Sequence, residues 1–223
     1  MAKRTIKLIN TVADKINNDS SINGKIKIIF LENYSVSLAE KIIPCADVSE
    51  QISTTTKEAS GTGNMKFMMN GAITVATLDG ANVEMSEAVG ENNIVIFGMK
   101  KDDVIDLEKN KTYHSIDYYN SDSRIKFIID NLINGSLDVP TSEFADIHKY
   151  LMANNDEYFV LKDFDSYINA ENKIDELYKN RGKWLEMSIS NIAHSGVFSS
   201  DNTIEQYSKE IWNTDRITIN MHH

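Results

Sequence analysis

The sequence predicts an α/β fold, a small parallel sheet within residues 1–100 followed by a helical extension over 101–223. Apolar, β-branched runs at 72–78 and 93–99, and the apolar second half of 25–32, fail to alternate with polar residues, so they read as strands covered on both faces. Segments with helical spacing of apolar residues separate these runs, the pattern of a parallel sheet with helices on both sides. From about Lys100 onward every periodic segment reads as helix.

The elements follow in order. Ile6, Ile9, Val12, Ala13 and Ile16 are spaced for one face of a helix over 2–17, and Asn17–Gly24 is a polar turn. Lys25–Glu32 alternates and then becomes wholly apolar, predicting a buried strand. Ser35–Ile43 is expected to be a helix with Leu38, Ala39 and Ile42 inward, ended by Pro44. A short extended piece at Val48–Ser53 precedes a glycine loop and a helix from Asn64 to Asn70. Ala72–Leu78 is expected to be a central strand, with a turn at Asp79-Gly80-Ala81-Asn82. Val83–Val89 then forms a helix stopped by Gly90, and Asn93–Met99 a further strand. Helices are expected at 102–107, 117–119, 123–133, 143–154, 163–178, 183–193 and 202–211, broken at Gly135, Gly182 and Gly196. A sheet whose first strand follows an opening helix suggests a piece of something longer.

Composition narrows the function classes. Among 223 residues, 23 basic side chains against 33 acidic ones give a formal charge of −10, unsuited to a general nucleic-acid binder or to an anionic membrane surface. A hydrophobic fraction of 41% suffices for a core. No apolar run reaches membrane-spanning length, and no signal-peptide pattern opens the chain, so a cytoplasmic protein is expected. Cys45 is the only cysteine, which excludes an internal disulfide, and His114, His148 and His194 lack metal-ligand spacing.

The stretch that invites chemistry is Glu58-Ala-Ser-Gly-Thr-Gly-Asn-Met-Lys66. Gly61 and Gly63 permit backbone angles closed to other residues, and a helix starting there offers unpaired N–H groups to an anion. The spacing lacks the Gly-Lys-Ser/Thr of a Walker loop, and Lys66 stands where a dinucleotide fingerprint needs its third glycine. A structural glycine turn with a solvated lysine satisfies the spacing equally. Against that, Met65, Phe67, Met68 and Met69 surround Lys66, so we expect a desolvated amine of lowered pKa and raised nucleophilicity. A nucleophilic amine beside a phosphate cradle suits an aldehyde cofactor carrying a phosphate, and pyridoxal 5′-phosphate fits both ends. Asp79 and Asn82, at a strand end, are further candidates to line the site.

The run from Glu58 to Asn82, with Phe30-Leu-Glu-Asn-Tyr34, Ser49-Glu-Gln-Ile-Ser53, Ile189-Ser-Asn-Ile-Ala193, Ser195-Gly196, Phe198-Ser-Ser-Asp201 and Glu210-Ile-Trp212, closely resembles the glycogen/maltodextrin (α-glucan) phosphorylases over nearly the whole chain. The resemblance implies a truncated Rossmann-like parallel sheet, from the second lobe of a two-lobed GT-B-type glycosyltransferase. Residues 1–100 would be a partial cofactor-binding domain and 101–223 a helical extension packed on it. It implies that Lys66 holds pyridoxal 5′-phosphate covalently and that Thr62 and Gly63 hold its phosphate. Tyr34 would lie against the pyridine ring, while Glu58, Ser60 and Gly61 bind hydroxyls of the glucosyl unit. The implied reaction is phosphorolysis of an α-1,4-glucan by inorganic phosphate to glucose 1-phosphate, with the cofactor phosphate exchanging a proton with the substrate phosphate. The family's glucan-binding first lobe and its Lys-Arg-rich phosphate-binding segment have no counterpart in these residues, so the expected fragment is inactive by itself and self-associates as a homo-oligomer. A non-catalytic module without bound cofactor is the alternative.

Overall fold

A computed structural model describes residues 1–215 and 217. The chain divides into two compact units interleaved along the sequence: Met1–Ala39 with Gly98–Ser166, and Glu40–Phe97 with Tyr167 onward. The sequence reading draws its boundary near residue 100 instead, with one stretch on each side.

The second unit contains the sheet. Strands β1 (Val48–Gln51), β2 (Ile73–Ala76) and β3 (Val95–Ile96) are parallel in the order β1-β2-β3, with Val48 opposite Ile73 and Val75 opposite Val95. Helix α3 (Gly63–Met69) connects β1 to β2, and α4 (Asn82–Val89) connects β2 to β3, as parallel neighbours require. All four residues of β2 are fully buried. Alternation along the strands feeds two separate cores. Ile73, Val75, Val95 and Phe97 pack with Ala170 and Ile174 of α9 (Val160–Lys179) and with Trp184 and Met187 of α10 (Arg181–His194). Ile94 and Ile96 point the other way and pack with Met68 of α3 and with Met85 and Val89 of α4. Each buried aliphatic side chain contributes about 1.5–3 kcal/mol, which explains why these strands read as continuous apolar runs. Gly90, at φ +77°, ends α4. The last described helix, α11 (Ser200–Gln206), is capped by the Ser199 hydroxyl, which accepts from the Asn202 N–H, and runs into a π-type turn at Tyr207–Trp212.

The first unit is helical. It contains α1 (Ala2–Asn17), α5 (Lys101–Asn110), α6 (Ser115–Ser121), α7 (Ser123–Asn131), α8 (Ala145–Met152) and the start of α9; α2 (Val36–Ile42) carries the chain across into the second unit. Its main core joins Ile125 and Ile129 of α7 to Leu132, Phe144 and Leu161, with Leu8 of α1 packed against them. Arg4 and Lys7 of α1 bind the Glu143 carboxylate at 2.5 and 2.9 Å. At the start of α9 the fully buried Asp156 accepts the Tyr113 hydroxyl at 2.7 Å and the Leu161 N–H at 2.9 Å. Burial and this carboxylate push the Tyr113 hydroxyl far up, so it stays protonated and donates.

One expected strand is absent. Lys25–Glu32 is irregular, with Ile26, Ile29 and Leu31 exposed. A strand needs a neighbour to take its backbone groups, and no described strand pairs with this stretch. The side-chain amide of Asn17 satisfies both backbone groups of Ile28 instead, accepting its N–H at 2.9 Å and donating to its carbonyl at 2.8 Å. The sheet therefore has three strands where the sequence reading had a further one before them.

Asp163 of α9 is almost fully buried and accepts the Met99 N–H at 3.0 Å. Burial raises its carboxyl pKa, with a smaller contribution from neighbouring Asp156. Its folded pKa thus lies above its unfolded value of 3.8. This carboxyl's contribution to stability is complete below the unfolded value and is lost as pH rises through the folded one. Asp163→Asn keeps the acceptor for Met99 and removes the titration. Denaturant midpoints measured from neutrality down to mildly acidic pH should show a stabilising component on acidification in the wild type that the variant lacks. Parallel pH curves for the two proteins would refute this.

Candidate cofactor site at the carboxyl end of the sheet

The glycine loop lies where chains leaving parallel strands usually carry function, beyond the carboxyl ends of β1 and β2. Its shape is set by the turn that follows β2. The buried carboxylate of Asp79 accepts three consecutive backbone N–H groups, from Thr56 at 2.8 Å, Lys57 at 3.0 Å and Glu58 at 2.6 Å. Hydrogen bonds to an ionised acceptor are the strong ones, each worth about 1.5–3 kcal/mol. The Ala81 N–H donates to the Ser60 carbonyl at 2.8 Å, fixing the next part of the loop. At Gly80 the chains come so close that a Cβ would meet the Ser60 carbonyl oxygen at 2.4 Å, and φ is +52°. Gly61, at φ +83°, makes the sharp bend before α3.

A second chain of polar side chains seats α3. Asn64 donates to the Asn82 Oδ1 at 2.8 Å, Asn82 donates to the Thr77 carbonyl at 3.1 Å, and the Thr77 hydroxyl donates to the Ser53 carbonyl at 2.6 Å. Asn64, Thr77 and Asn82 are all buried. The sequence reading placed Asp79 and Asn82 at the right strand end but with side chains lining the site. Both turn inward and hold backbone and Asn64 instead, because the turn's polar groups have no water to bond. Asn64 was not anticipated; an amide among the apolar residues of a short helix was the available signal.

Lys66 differs from expectation. It is exposed, and its amine has no hydrogen bond or ion pair among the described residues. The buried face of α3 is set by Asn64 and Met68, four residues apart, at 2% and 0% exposure. Lys66, two residues from each, projects on the opposite side, so the surrounding methionines do not enclose it. Met69 itself is 59% exposed. Gly63 and Lys66, three apart, share that outward face.

Glu58, Ser60, Thr62 and Gly63 are exposed and Gly61 half-buried, all on this one loop and helix start. The N–H groups of Thr62, Gly63 and Asn64 have no acceptor among the described residues, and a Cβ on Gly63 would meet nothing within 4 Å. Unpaired donors at an open glycine fit an anionic group, and the free Lys66 amine fits an aldehyde, so these residues are chemically suited to pyridoxal 5′-phosphate. Tyr34 belongs to the other compact unit, 65% exposed in the irregular stretch before α2.

The chain belongs to the carbohydrate phosphorylase family, whose model it matches over residues 1–214. It is 56% identical to the glycogen phosphorylase of Bacillus subtilis (strain 168) over 211 residues, 95% of this chain and 26% of the relative. The human liver form of glycogen phosphorylase is 51% identical, and the mouse muscle form 50%, each over 96% of this chain and 25% of the relative. The chain thus spans about a quarter of the length of these relatives. No described helix is long and apolar enough to cross a membrane.

The contact at Gly80 yields a direct expectation. Gly80→Ala adds both a left-handed strain and a backbone clash, and should cost at least about 2 kcal/mol in denaturant unfolding. Gly63→Ala, with open space and no positive φ, should change stability by less than about 0.5 kcal/mol. Equal costs at the two positions would mean that the turn after β2 does not hold the loop.

Proposed function

We propose that this chain is the cofactor-holding part of an α-1,4-glucan phosphorylase, which cleaves glycogen, starch or maltodextrin with inorganic phosphate to release glucose 1-phosphate. The observation that carries this is the anchored loop with a free lysine on its outward face, in a chain about half identical to glycogen phosphorylases. In this reading the Lys66 amine holds the aldehyde carbon of pyridoxal 5′-phosphate. The Thr62 hydroxyl and the Gly63 N–H donate to its phosphate. Tyr34 supplies an aromatic face for the pyridine ring, and Glu58, Ser60 and Gly61 orient the hydroxyls of the glucosyl unit. When bound, the cofactor supplies a phosphate whose second ionisation, at about pH 6, lets it give and take a proton near neutrality.

An exposed lysine is consistent with this role, since covalent capture needs an amine that the aldehyde can reach. The loop cannot complete the reaction. Phosphorolysis brings cofactor and substrate phosphates together, and their combined negative charge needs several cations in a protein whose own charge is −10. We therefore assign to the 223 residues the cofactor lysine and one wall of the site, with the remaining cations supplied by the rest of a longer phosphorylase of the cytoplasm. Exposed Ile26, Ile29, Val36 and Ile189 favour self-association of the chain, as a homo-oligomer.

Incubation with pyridoxal 5′-phosphate, borohydride reduction and peptide mass mapping should label Lys66 preferentially and leave Lys66→Arg unlabelled in that peptide. Absence of the Lys66 label would favour the alternative of a non-catalytic module without cofactor. The chain alone should release no glucose 1-phosphate from glycogen and phosphate; measurable turnover would overturn the division of labour proposed above. Sedimentation at high concentration should show dimers or larger species, and a clean monomer would count against association.

A further inference from the structure

The two groups of buried polar contacts beyond β2 share no side chain. All three bonds to the Asp79 carboxylate come from residues 56–58, and none reaches α3. The Asn82 amide binds Asn64 and the Thr77 carbonyl, and nothing in residues 56–58. Asn64 is itself held in one orientation, because its Oδ1 accepts the Met65 N–H at 2.9 Å and leaves its Nδ2 for Asn82. Between the two held segments only Gly61, Thr62 and Gly63 remain, bounded on one side by the Ala81–Ser60 backbone bond and on the other by Asn64.

We infer that the turn after β2 positions the glycine loop through two separable anchors. Asp79 fixes the arm that ends in Glu58, and Asn82, acting through Asn64, fixes the arm that runs from Thr62 to Lys66. Neither side chain touches a ligand; both are positioning residues. The inference rests on the cofactor reading and deepens it. The sugar-facing Glu58 and the cofactor-facing Thr62, Gly63 and Lys66 are aligned by different buried groups of one turn. Donors that are preset need no reordering when an anion arrives, and buried polar anchors hold geometry better than exposed ones.

The test uses the chain with Asp79→Asn and Asn64→Ala. Two readouts are combined: amide hydrogen exchange resolved by peptide, and borohydride trapping at Lys66 with pyridoxal 5′-phosphate or with pyridoxal, each normalised to the exposed Lys3. Asn64→Ala should reduce the preference for the phosphorylated aldehyde at Lys66 at least about tenfold and speed exchange across 63–69, as loss of a buried partner implies. Asp79→Asn leaves at least one of three N–H donors without its acceptor. It should speed exchange at 56–58 about tenfold while changing the preference at Lys66 by less than about twofold. Asn64→Ser, which replaces the amide with a single hydroxyl, should give the Asn64→Ala pattern at smaller amplitude and serves if the alanine variant does not fold. A general loosening would move both aldehydes alike and accelerate exchange in both arms for either variant, and that result overturns the inference. If the wild-type chain shows no preference for the phosphorylated aldehyde, the cofactor reading fails, while the exchange pattern still decides whether the anchors are separate.

Discussion

A strand enclosed on both faces can offer chemistry only at its ends, and β2 is such a strand. All four of its residues are buried, Ile73 and Val75 within an apolar core, and the polar side chains that find partners come after Ala76. Thr77, Asp79 and Asn82 emerge there while still shielded from water. Each must find a protein partner, because an unpaired buried polar group costs about 1–3 kcal/mol. The partners within reach are the backbone and Asn64 of the segment between β1 and β2. The shape of the glycine loop thus follows from the need to satisfy the end of the central strand.

The same requirement explains the division between rigid and open parts of the loop. Positions 56–58, 60 and 64 are tied to the turn after β2, whereas the N–H groups of Thr62 and Gly63 and the amine of Lys66 have no partner among the described residues. A segment with fixed ends and free donors in its middle is suited to an anion that approaches from solvent. The first unit applies similar physics to a structural end. There Asp156 joins Tyr113 to the first turn of α9, and Asp163 ties the chain at Met99 to the same helix. Its carboxylates brace helix starts.

Much of this was legible in residues. The runs at 72–78 and 93–99 announced buried strands because both faces are apolar, and the spacing of Ile6, Ile9, Ala13 and Ile16 announced α1. The pair Gly61 and Gly63 marked the loop. Three features were not legible. Lys25–Glu32 has the composition of a strand, yet pairing depends on a neighbour that local sequence does not specify. Lys66 was expected to be desolvated because methionines adjoin it in sequence, but on a helix adjacent residues point in different directions. Asp79 binds N–H groups 21 to 23 residues earlier, a separation that no local pattern reports.

The sequence by itself determined the α/β class, the order of helices and strands around the loop, and the phosphorylase resemblance, because period, glycine placement and a long shared run are local properties. Tertiary structure decided which strands pair, which face of α3 is buried, and that Lys66 lies on the open side. It also decided that Asp79 and Asn82 serve as anchors. Those outcomes depend on which polar groups are brought together out of water, and that is settled only when distant segments of the chain meet.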